Sequence, residues 1–138
     1  MTTVYKLFGI GDDGCYLLGV FSNLKLCGEC MHMFKELDGF SEDTCYFVAE
    51  PEDFDCCEEI TEVFELKHEY KVGEEIILTE IGTYAKYAEL ERKIQTIIGR
   101  NDPDPDLMEL ADHPNGFIGC KYVIDEGAYE VPYFNPWI

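Results

Sequence analysis

A chain of 138 residues with 29 acidic and 10 basic side chains carries a formal net charge of −19 at pH 7. That field repels nucleic-acid and membrane phosphates and attracts basic surfaces. The 46% hydrophobic and 14% aromatic content excludes a disordered acidic tail and fits one globular domain.

Val4 to Ile10 and Cys15 to Phe21 are rich in β-formers and flank the turn cluster Gly11-Asp12-Asp13-Gly14, which predicts a hairpin. Ser22 stands at an N-cap position. Leu24, Cys27, Met31 and Phe34 then recur at helical spacing, with Cys30 and Leu37 widening the stripe, so a helix runs from about Asn23 to Leu37 and stops at Asp38-Gly39. Cys45 to Ala49 reads as a strand closed by Pro51. Ile60 to Leu66 and Glu75 to Ile81 read as two more strands, followed by a second helix patterned on Tyr84, Tyr87, Leu90, Ile94, Ile97 and Ile98 and ending at Gly99.

Two prolines stiffen the connector Arg100 to Asp106, the one internal boundary that the sequence suggests. Asp106 and Glu109 form a capping-box pattern for a short helix through Ala111, ended by His113-Pro114-Asn115-Gly116. Phe117 to Ile124 and Ala128 to Phe134 complete a hairpin around Asp125-Glu126-Gly127. The order β-β-α-β-β-β-α followed by a C-terminal hairpin implies an α+β fold, with a mostly antiparallel sheet and helices on one face, in one domain over 1–138.

The charge is concentrated from Glu36 to Glu80, which holds sixteen acidic and two basic side chains. Within it, Glu50, Glu52, Asp53, Asp55, Glu58, Glu59 and Glu62 surround Phe54 with no local basic residue to offset them. Interleaved Tyr46, Phe47, Val48, Ile60, Val63 and Phe64 argue for display on folded strands rather than in a solvated run. These eight residues are the expected partner-binding set, with Phe54 as its apolar anchor.

Seven cysteines make an odd number, and the N-terminus lacks the basic and apolar regions of an export signal, so reduced thiols and a cytoplasmic setting are expected. Cys27 and Cys30, with Cys56 and Cys57, could supply zinc ligands, but an adjacent pair cannot form a second knuckle, and the first pair lies on a helix stripe. Core packing is the preferred reading, and no metal or cofactor is expected. Asp102, Asp104 and Asp106 alternate as in a calcium loop, yet Leu107 stands where glycine is needed and His113 where a bidentate glutamate is needed. His32, His68 and His113 have no recognisable nucleophile partner, and no glycine-rich phosphate loop precedes a helix, so no enzymatic activity is expected.

Val4-Tyr5 with Phe8, the Asp12-Asp13-Gly14 turn, Tyr16-Leu17-Leu18-Gly19-Val20-Phe21-Ser22, a helix, and an acidic stretch leading to Glu62-Val63-Phe64-Glu65-Leu66 resemble small ββαβ proteins of phages and bacteria. The resemblance covers about half the chain and brings no catalytic residues with it. In size and charge the chain is similar to phage DNA-mimic inhibitors of restriction or CRISPR systems, which implies a basic surface of a nucleic-acid-handling protein as partner, without direct contact to nucleic acid or membrane. The alternative is a small-molecule binder with an aromatic pocket built from Tyr5, Tyr16, Tyr122, Tyr129 and Tyr133, or with Arg92 and Arg100 converging on an anion.

Overall fold

The computed structural model describes residues 2–11, 14–36, 45–55, 59–126 and 133–134. The fold is α+β, as the element order implies, but its strands are shared between two sheets rather than gathered in one. The chain divides into two compact units, Met1–Glu62 with Tyr122–Val131 and Val63–Lys121 with Pro132–Ile138. The division falls at Glu62/Val63, and the proline-stiffened connector lies inside the second unit.

In the first unit β1 (Thr2–Gly11), β2 (Gly14–Phe21) and β3 (Tyr46–Phe54) form a sheet in the order β2-β1-β3, both pairings antiparallel. The helix α1 (Leu24–Lys35) packs on one face, where Leu7, Phe21, Cys27 and Cys30 are buried together and Tyr5, Phe34, Phe47 and Ala49 close around them. Its N-cap is Asn23 rather than Ser22: the Asn23 side chain accepts from the Leu26 amide at 3.0 Å. Ser22 is engaged elsewhere, because its amide and hydroxyl both donate to the Asp125 carboxylate, at 2.7 Å and 2.8 Å. This bond, with the Asp125 amide donating to Val20 O at 2.9 Å and the Ile124 amide donating to Thr61 O at 2.9 Å, ties residues 122–126 back into the first unit.

The third strand does not close at Pro51. Its pairing with β1 runs from Ile10↔Tyr46 through Tyr5↔Pro51 to Thr2↔Phe54. Among the described strands β3 is an edge, where a missing N–H that faces away from the ladder is tolerated.

In the second unit β4 (Glu62–Val72), β5 (Glu75–Tyr84), β6 (Phe117–Val123) and β7 (Tyr133–Phe134) follow the order β5-β4-β6-β7. β4 continues six residues past the expected end at Leu66. Lys67, Glu69 and Lys71 interrupt the apolar run without interrupting the alternation, since Phe64, Leu66, His68 and Tyr70 keep to one face. The helix α2 (Tyr87–Ile98) covers that face with Leu90, Ile94 and Ile97, joined in the core by Leu107, Leu110 and Phe117. It begins three residues later than its apolar pattern suggests, because Tyr84 remains in β5 opposite Phe64.

The short helix is a 3₁₀ helix over Pro105–Asp112, capped by Asp104, not Asp106. A 3₁₀ turn over Pro114–Gly116 leads into β6. The expected C-terminal hairpin is present in the described residues as Gly119↔Phe134 and Cys120↔Tyr133. No helix of the described residues is long and apolar enough to cross a membrane.

Candidate functional site

The expected partner-binding residues occupy β3 and the chain after it, and strand alternation divides them. Glu50, Glu52 and Phe54 share the face that carries Val4 and Lys6, whereas Asp53 lies opposite Thr3 on the face turned toward α1. The set is therefore not one continuous patch centred on Phe54, which is half-buried. Glu58 lies outside the described residues, as do Cys56 and Cys57.

Charge is also partly neutralised within the unit. Lys6 Nζ stands 3.2 Å from Glu52 Oε2, with the two side chains 16% and 29% exposed, and 5.7 Å from the Phe8 ring centroid. The Thr3 hydroxyl donates to Asp53 Oδ1. Glu50, Asp53, Asp55 and Glu59 are exposed, while Glu52 and Glu62 are half-buried. Glu50, Asp53, Asp55 and Glu59 therefore form the set still available to a partner. Sequence reasoning missed Lys6 because it lies 46 positions before Glu52; only the register of β1 on β3 brings them together.

Cys27 and Cys30 are buried in the α1 core. Burial pushes the Cys27 thiol up to about 11, with Cys30 and Asp125 adding in the same direction, so it is held as a neutral thiol. Among the described residues no group of three or more histidine, cysteine or acidic side chains is arranged to hold a metal ion.

Two of the three alternating aspartates, Asp102 and Asp104, accept from the backbone amide two residues on. Asp102 Oδ2 accepts from the Asp104 amide at 3.0 Å, and Asp104 Oδ1 accepts from the Asp106 amide at 2.9 Å. Asp102 Oδ1 accepts from Thr96 Oγ1 at 2.9 Å and pairs with Lys93 Nζ at 2.7 Å, its side chain only 2% exposed. Burial pushes the Asp102 carboxyl up, but Lys93, the Asp104 amide and the Thr96 hydroxyl outweigh that and hold it below its ordinary value.

Of the tyrosines named for an aromatic pocket, Tyr5, Tyr16 and Tyr122 of the first unit do not gather. Tyr5 packs against the first unit's core, and Tyr122 is buried with its hydroxyl donating to Leu17 O at 3.2 Å. Tyr129 lies outside the described residues, and Tyr133 belongs to β7. Tyr16 lines the apolar cavity of the first unit, about 170 Å³, with Ile10, Leu18, Phe34, Tyr46 and Phe47. Arg92 and Arg100 do not converge either. Arg92 borders a shallow cavity of about 290 Å³ with Tyr84, Lys93 and Thr96, where Glu89 and Asp102 offset its charge, and Arg100 pairs with Asp112.

No family model, curated protein or solved structure matches the chain.

Proposed function

We propose that the protein is a non-enzymatic acidic binding protein that presents carboxylates from a folded strand to the basic surface of a nucleic-acid-handling protein, in the manner of phage DNA-mimic inhibitors of restriction or CRISPR systems, and acts in the cytoplasm of a host cell. The observation that supports this reading is the exposure of Glu50, Asp53 and Asp55 on and beside a strand whose pairing with β1 is continuous from Tyr46 to Phe54. Carboxylates on a paired strand stand at fixed intervals, about 3.4 Å per residue along one strand, and need no ordering when a partner arrives. The net charge of −19 attracts such a partner from a distance and speeds encounter.

The test is competition. The protein should displace duplex DNA from a restriction or CRISPR nuclease, with an affinity that weakens steeply as salt rises. Reversing Glu50, Asp53, Asp55 and Glu59 to lysine should abolish displacement while leaving the circular-dichroism spectrum intact, since exposed charges contribute little to stability. Displacement that survives the reversal sinks the reading.

A small-molecule binder is the second reading, favoured by the apolar cavity beside Tyr16. At about 170 Å³ it falls short of the roughly 300–1,000 Å³ usual for ligand pockets, and it ranks behind.

A further inference from the structure

His68 is the one polar side chain buried completely in the second unit's core among the described residues, at 0% exposure. It stands on the inner face of β4 between Leu66 and Tyr70, with the Phe117 ring of β6 edge-on at 4.7 Å and Thr79 of β5 opposite it. The His113 ring, centred 6.4 Å away, stacks on Tyr70 at 4.1 Å. His68 Nε2 lies 2.8 Å from the carbonyl oxygen of His113. A carbonyl only accepts, so the proton sits on Nε2 and Nδ1 carries a bare lone pair. Nδ1 is buried and has no hydrogen-bond partner among the described residues.

The His113 carbonyl accepts a second bond, from the Gly116 amide at 3.0 Å. The 3₁₀ turn of Pro114–Gly116 is thereby fastened to β4 through one imidazole. The packing leaves no slack: a Cβ on Gly116 would stand 2.7 Å from His68 Nε2 and 2.5 Å from Glu69 O.

We propose that His68 is a pH-sensitive latch, whose neutral ring ties the His113–Gly116 turn to β4 and whose protonation at Nδ1 releases that turn. The added proton does not touch the Nε2 bond. It creates a cation and a new N–H donor at a ring nitrogen that has no hydrogen-bond partner among the described residues, and a buried donor or charge left unpaired is costly until water reaches it. Among the described residues, the groups that act electrostatically on His68 are the carbonyl and the ring of His113. The other polar groups that face it from β4 and β5 are the Tyr70 phenol and the Thr79 hydroxyl, and α2 presents Leu90, Ile94 and Ile97 to the same core.

Burial pushes the His68 imidazole below its ordinary 6.5; the His113 carbonyl opposes this and a charged His113 ring reinforces it. The closed state therefore binds a proton less readily than the open state. Closure is favoured fully above about pH 6.5, weakens as pH falls below it, and weakens no further once the lowered closed-state value has been passed.

The experiment is histidine-ring and amide NMR on the full chain. His68 should appear as the Nε2–H tautomer with a midpoint below 6.5. The protection factor of the Gly116 amide, corrected for intrinsic exchange, should fall by up to about tenfold per pH unit over the window between 6.5 and that midpoint. His113→Gln retains the carbonyl, so it should keep the effect and move the His68 midpoint upward. His68→Phe, if folded, should leave Gly116 protection independent of pH in that window. An Nδ1–H tautomer, a His68 midpoint at or above 6.5, or protection that tracks the His113 midpoint overturns the proposal, and the wild-type spectra decide this even if His68→Phe does not fold.

Discussion

Replacing Gly116 with alanine puts a methyl group where there is no room for one. An ideal Cβ would lie 2.5 Å from the Glu69 carbonyl oxygen and 2.7 Å from the His68 ring, whereas ordinary contact begins near 3.4 Å. A shift of roughly 0.9 Å must therefore be absorbed. Glu69 sits within β4, held by its pairing with Leu78 of β5, so its carbonyl cannot swing aside as a flexible side chain could. The Gly116 backbone is not among the positive-φ positions, so the cost comes from contact and not from strained torsion angles. Overpacking of this kind costs about 1–3 kcal/mol, and losing the His68 bond to the turn adds about 1 kcal/mol. The stiffer unfolded chain returns about 0.4–1 kcal/mol. The net expectation is a loss of about 1–3.5 kcal/mol, read as a urea midpoint lowered by about 0.5–2 M with an unchanged slope. Gly28 is the control. A Cβ there meets nothing within 4 Å, and the residue lies inside α1, so Gly28→Ala should stabilise by about 0.5–1 kcal/mol. A Gly116→Ala midpoint within about 0.3 M of wild type would refute the packing account.

Burial and connectivity lead to further expectations. Exposed Cys15 should react with iodoacetamide at pH 8, while Cys27, buried and held as a thiol by its raised value of about 11, should react only on unfolding; elemental analysis should find the protein zinc-free, and about one zinc per chain lost on Cys27→Ser and Cys30→Ser would contradict this. Neither compact unit is continuous in sequence, since the first includes Tyr122–Val131 and the second Pro132–Ile138, so we expect a single cooperative transition in calorimetry. Limited proteolysis should release no stable fragment ending near Arg100, where the Arg100 and Asn101 amides donate to Ile97 O and Thr96 O.

The sequence alone determined the elements and their order. Runs rich in β-formers and bounded by turn residues mark β1, β2 and β5, and the spacing of Leu90, Ile94 and Ile97 marks α2, because residue preference and helical periodicity are local properties of the chain. It also placed Cys27 and Cys30 on a buried helical face, as found. It misjudged where β3 and β4 end, since Pro51 and Lys67 break a local pattern that strand pairing carries through. Tertiary structure alone decided which charges are neutralised and which groups are trapped. Glu52 meets Lys6, Ser22 meets Asp125 and His68 meets the His113 carbonyl across 46, 103 and 45 positions of sequence. Such pairs follow from sheet register and from where loops return, which no local window of residues encodes. His68 shows the difference most plainly: its place in the alternation Phe64-Leu66-His68-Tyr70 marks it as inward-facing, but its bond to the turn and its buried Nδ1, unpartnered among the described residues, exist only once the chain from Asp102 to Gly116 has folded over it.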